Sequence, residues 1–77
     1  MTGPVDRITV LPDVCNGRPT VRGLRITVAT VLGYLAAGET IDEVLRQHPM
    51  LERDDVAACL EFASRIMDRG YSVQATL

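Results

Sequence analysis

The sequence contains no lysine and no tryptophan, and only one histidine, one phenylalanine and two tyrosines among its 77 residues. With so few aromatics, the core has to be assembled from Val, Leu, Ile and Ala. The missing lysine makes every one of the eight basic residues an arginine, whose planar fork pairs with phosphate or carboxylate. Cysteine is scarce too. Cys15 and Cys59 lie far apart, form no CxxC and have no clustered histidine, which excludes the usual zinc ligand sets. No signal peptide and no long apolar run are present, so no membrane span is expected and the cytoplasm is the expected compartment. There both thiols should stay reduced, without a disulfide. A last absence is local: residues 14–38 carry no acid, although the chain has net charge −2.

What remains is a foldable composition. Apolar residues make up 47% and charged residues 23%, which is not the signature of a disordered chain. The length allows one domain, and a chain this short buries only about 60% of its unfolded surface. So small a core favours a partner subunit. Charge divides the chain: residues 1–38 balance to +2 and residues 39–77 to −4.

The basic half reads as a short β-arm or hairpin. "RITV" at residues 7–10 alternates and is β-branched. Asn16-Gly17 suits a tight turn in which both residues take positive φ. Pro19 confines "PTVR" to an edge or a strand start, and Gly23 breaks the run. On a strand Arg18, Thr20 and Arg22 would share one face, with Val21 on the other. These three residues and Arg25 are the candidate binding residues of the arm. Arg25 has an alternative role, pairing with Asp13 or Glu43 or bonding helix-end carbonyls.

Three helices follow. Thr27 is a candidate N-cap for "VATVLGYLAAG", which Gly38 should stop. Val28, Val31, Leu32 and Leu35 recur at helical spacing, and Gly33 either weakens this helix or permits close packing. Thr40 and Glu43 form a capping box that opens "TIDEVLRQHP", with Ile41, Val44 and Leu45 as its buried face. Pro49 ends it, with His48 as a solvated or turn residue. The third helix spans about residues 53–69 and stops at Gly70. Acids crowd its start and Arg65 and Arg69 its end, as the helix dipole favours. Its apolar surface, which includes Val56, Cys59, Leu60, Phe62, Ala63, Ile66 and Met67, is wide enough to serve a core and a second subunit. Leu60, Phe62 and Ile66 are the candidate dimer residues.

The expected fold is therefore mainly α: a short N-terminal β-arm or hairpin, then a three-helix bundle of helix-turn-helix type. Residues 1–26 form the arm and basic loop, 27–70 the bundle and 71–77 a tail that is a frayed end or an added strand. About four residues separate the second and third helices, as in a helix-turn-helix. Yet Glu52, Asp54 and Asp55 at the start of the third helix oppose a duplex, leaving Arg53 as the only cation there. DNA contact would have to come largely from the arm.

Nothing meets the minimum for catalysis, and no catalytic residue, metal ligand or cofactor is expected. The only histidine precedes a proline. Asp54–Asp55 and Asp42–Glu43 are adjacent pairs that point in different directions on a helix. Ser64 and Ser72 have no nearby base. The stretch from Gly17 to Gly23 lacks the Lys-Ser/Thr of a phosphate loop.

The run "PDVCNGRPTVRGLRITVATVLGYLAAGETIDEVLRQHPMLERDDVAACLEFA" resembles the Domain of Unknown Function 433 family over about residues 8–63. The residues that carry the likeness are Cys15, Gly17, Pro19, Val21, Arg22, Gly23, Arg25 and Val28, then Leu35, Gly38, Glu43, Pro49, Leu51 and Leu60. Within them lies a G-x-P-x-x-R-G-x-R core. The chain departs from the family pattern at Leu24, where Thr is usual, at Arg18, where Lys is usual, and at Glu52, where Ser or Thr is usual. The resemblance implies a small helix-turn-helix protein of the kind often encoded beside PIN-like ribonuclease toxins. It implies a VapB-like antitoxin role, binding the toxin and repressing its own promoter through operator DNA, while the homodimer is expected from the small core and the wide apolar surface of the third helix. The alternative is a homodimeric protein-interaction module that binds a partner protein without binding DNA.

Overall fold

A computed structural model of the chain describes residues 7–69. The expectations for the tail at 71–77 and the stop at Gly70 lie outside the described residues. Strand β1 (Ile8–Val10) pairs antiparallel with β2 (Pro19–Val21), in the register Ile8↔Val21, Thr9↔Thr20 and Val10↔Pro19. Three helices follow: α1 (Val28–Ala36), α2 (Ile41–Gln47) and α3 (Arg53–Arg69). This is the mainly α, hairpin-then-three-helix architecture that the sequence pattern implies.

The hairpin is wider than Asn16-Gly17 suggested. Those residues do take positive φ, at 58° and 78°. They sit inside a short 3₁₀ turn at Cys15–Gly17, within a longer connection rather than a two-residue turn. Two short strands are marginal by themselves, and this pair is held by its packing. Val21 is fully buried in the core with Val28, Val31, Val44, Leu51, Val56 and Cys59. Complete burial of a valine contributes about 1.5–3 kcal/mol. The arm is thus an integral layer of the bundle.

Thr20 is also fully buried. Its hydroxyl lies 3.1 Å from that of Thr9, and the Gly23 N–H donates to Thr9 Oγ1 at 2.9 Å. Thr20 therefore holds the sheet and does not share an exposed face with Arg18 and Arg22. The strand alternation ends at Val21 because Arg22 and Gly23 turn left-handed, with φ of 47° and 73°. A glycine tolerates that region without cost; an arginine there needs compensating contacts.

The helix boundaries follow their caps. Thr27 accepts from the Thr30 N–H, and Gly38 follows α1 at φ 101°. The capping box is complete: the Glu43 N–H donates to Thr40 Oγ1 at 3.1 Å, and the Thr40 N–H donates to Glu43 Oε1 at 2.7 Å. His48 is the C-cap of α2. Gly33 does not serve close packing, because a Cβ there would meet nothing within 4 Å. Among the described residues no helix is long and apolar enough to cross a membrane.

The capping box yields a direct test. Thr40→Ala removes one half of it and should lower the unfolding free energy by about 1 kcal/mol. Urea denaturation followed by circular dichroism measures this as a lower midpoint at unchanged slope.

Candidate functional site

The register of the hairpin brings two arginines together. The pair next to Ile8↔Val21 is Arg7 and Arg22, and the Arg22 N–H donates to the Arg7 carbonyl at 2.7 Å. Like charges so placed repel. Asp55, in the first turn of α3, resolves the conflict. Its side chain is fully buried, with 0% exposure. Arg22 forks onto it, with Nε at 3.0 Å from Oδ1 and Nη2 at 2.8 Å from Oδ2. Arg7 Nη1 donates to Oδ1 at 2.9 Å, and the Glu52 N–H donates to Oδ2 at 2.8 Å. The last bond caps the start of α3 from within, because an acid three residues into a helix can return to the cap residue's N–H.

Both guanidinium groups also make contacts beyond Asp55. Arg7 Nη1 reaches Glu52 Oε1 at 2.7 Å, and its Nη2 lies 3.6 Å from Asp54. Arg22 Nη2 donates to the Met50 carbonyl at 2.8 Å. Burial pushes the Asp55 carboxyl up, but the bonds from Arg22, the Glu52 N–H and Arg7 outweigh it and hold the group down at about 2. The guanidinium of Arg7 is raised by its bonds to Glu52 and Asp55, and that of Arg22 by its bond to Asp55. The cluster joins the hairpin, the α2–α3 turn and α3 in one charged knot.

This geometry redistributes the expected binding residues. Arg22 is spent on the scaffold, although 37% of its side chain stays exposed. Asp55 is not one of three acids facing outward; only Glu52 and Asp54 are exposed there. Arg53 pairs with Asp42. Arg18 and Arg25 make no ion pair among the described residues, so Arg25 is joined to neither Asp13 nor Glu43. The two lie at different cavities. Arg18 rims an apolar groove of about 290 Å³ between α1 and α3, floored by Pro19, Val28, Leu32, Phe62, Ile66 and Met67. Arg25 lines a second cavity of about 440 Å³ with Thr30, Tyr34 and His48. His48 is half-buried and stacks on Tyr34, with ring centroids 5.1 Å apart, so it is not a solvated residue.

The proposed dimer residues divide as well. Phe62 packs partly against the core, whereas Leu60 and Ile66 are 46% and 47% exposed. Met67 joins them at 57%. Cys59 is buried, and burial first, then the Asp55 charge, pushes its thiol up to about 11. It is therefore an inert core residue. Among the described residues no group of three or more His, Cys, Asp or Glu side chains is arranged to hold a metal ion.

No local pattern signals the partnership of Arg7 and Asp55, which are 48 positions apart.

Two outcomes test the cluster. Arg22→Ala leaves a buried carboxylate half-paired and should cost about 3 kcal/mol, against less than about 0.5 kcal/mol for the exposed Arg25→Ala; urea melts of both measure the contrast. The second outcome concerns acid. The Asp55 carboxyl is depressed in the folded state, so the unfolded state binds the proton more readily. Its contribution of roughly 2 kcal/mol is present above about pH 4 and is lost as pH falls through about 2. Stability measured across that window should fall more steeply for the wild type than for Asp55→Asn.

The model of the family described as "Protein of unknown function (DUF433)" matches residues 8–63. An uncharacterized protein of Sinorhizobium fredii, y4eO, is 32% identical over 63 residues, which are 82% of this chain and 28% of that protein. The crystal structure of a DUF433 member protein from Anabaena variabilis superposes with a TM-score of 0.75 at 28% identity, covering 82% of this chain and 62% of that one. The chain thus spans under a third of the curated relative and under two thirds of the structural one. A family model that matches most of the chain and a shared fold with a solved member place it plainly: the chain belongs to DUF433.

Proposed function

We propose that this chain is a homodimeric protein-interaction module that uses the α1/α3 groove and the exposed stripe of α3. One observation carries the reading. The buried residues of α3 all lie between Asp55 and Cys59, whereas Leu60, Ile66 and Met67 farther along stand exposed, the last two lining an apolar groove. Contiguous apolar surface on a small domain marks an interaction site. Arg18 is a cation at the groove rim, and no acid lines the groove. Two copies would need to cover about 800 Å² each for a stable pair, so the interface is taken to include both groove and stripe. An antitoxin-like role, with a PIN-like ribonuclease as the further partner, is the form of this module that the family likeness suggests.

Operator binding is the second reading, supported by the helix order α2–α3. The charges weaken it. Arg22 and Arg53 are engaged by Asp55 and Asp42, Arg18 and Arg25 lie at separate cavities, and the exposed start of α3 carries Glu52 and Asp54.

Sedimentation at micromolar concentration should give a dimer, and Leu60→Glu with Ile66→Glu should give a folded monomer, since both side chains are already exposed. A wild type that sediments only as monomer removes the homodimer. A gel shift on the gene's upstream DNA at low salt, where phosphate contacts are strongest, would restore the operator reading at the expense of this one.

A further inference from the structure

We propose that the cavity beside Arg25 binds a small aromatic monocarboxylate. The proposal is independent of the dimer reading, because the two cavities lie on opposite sides of α1. Thr30 and Tyr34, four positions apart, present one face of that helix to this cavity, whereas Val28, Ala29 and Leu32 present the other to the groove.

The chemistry of the lining selects the ligand. At about 440 Å³ the cavity lies within the size range of small-molecule sites. Leu24, Ile26 and Met50 make its walls apolar. Arg25 is the permanent charge in it, no acid lines it, and no internal carboxylate pairs with that guanidinium among the described residues. Of the two arginines in the R-G-x-R stretch, Arg22 is spent on the scaffold and Arg25 is not. A lone guanidinium over apolar walls suits a carboxylate, which takes its fork in a bidentate pair. A phosphate would need more donors than this lining supplies. The Tyr34–His48 stack, tilted by 29°, offers flat aromatic surface to a ring. His48 Nε2 is buried without a hydrogen-bond partner, so this corner of the molecule also holds an unmet polar group. An aromatic ring against Tyr34 and His48 with its carboxylate on Arg25 satisfies both the apolar and the charged part of the lining.

The test is a titration of the full chain with sodium benzoate, followed by two-dimensional amide and side-chain NMR. Saturable shifts at the Arg25 side-chain N–H and at Thr30, Tyr34 and His48 are the expected result. Arg25→Met should weaken binding about tenfold or more, as loss of a charge-assisted pair implies. Tyr34→Ala should weaken it as well, and Arg18→Met, at the other cavity, should leave it unchanged. Benzyl alcohol, with the ring but no charge, should bind about tenfold more weakly. No saturable shift at about 10 mM benzoate, equal binding of benzyl alcohol, or undiminished binding by a folded Arg25→Met variant each overturns the proposal. So does inorganic phosphate that binds the same residues as well as benzoate.

Discussion

One buried carboxylate holds the parts of this protein in place. Asp55 receives a fork from Arg22, a bond from Arg7 and the N–H of Glu52, so a single side chain ties both strands and the α2–α3 turn to α3. A buried charge is costly unless its partners are close and its lone pairs are met, and both conditions are satisfied. The left-handed backbone at Arg22 becomes intelligible in this light. It turns the guanidinium off the strand and onto Asp55, and the contacts made there compensate the backbone cost.

The same arrangement decides which surface remains for function. With Arg22 inside the scaffold and Arg53 on Asp42, the acid-free stretch of sequence does not become a basic face. The two guanidinium groups in it that make no ion pair among the described residues, on Arg18 and Arg25, flank different cavities. Each sits at the edge of apolar surface, where a cation contributes specificity toward a partner's carboxylate more than attraction toward a polyanion. The protein is accordingly better suited to discrete contacts than to following a phosphate backbone.

The small core shapes the other surface. Seven side chains, five of them valines with one leucine and one cysteine beside them, can cover only the first half of α3. The helix continues past the core because nothing stops it before residue 69, and its apolar periodicity continues with it. Exposed Ile66 and Met67 are the consequence of a long helix on a short domain.

The local elements were legible in the sequence, because each depends on neighbours a few residues away. Thr27, the Thr40–Glu43 box and Gly38 mark helix ends through bonds that close within one turn, Pro49 marks one by lacking an N–H, and glycine at 17 and 23 permits the positive φ found there. The functional surface was not legible in the same way. The chain's alternation put Arg18, Thr20 and Arg22 on one face, but Thr20 is buried by its pairing with Thr9 and Arg22 leaves the strand at a backbone corner. Arg7 and Asp55 lie 48 positions apart, and no periodicity connects them. Sequence determined where each helix begins and ends; only the tertiary structure decided which arginines are free, because an ion pair is chosen by proximity in space and the chain order carries no record of it.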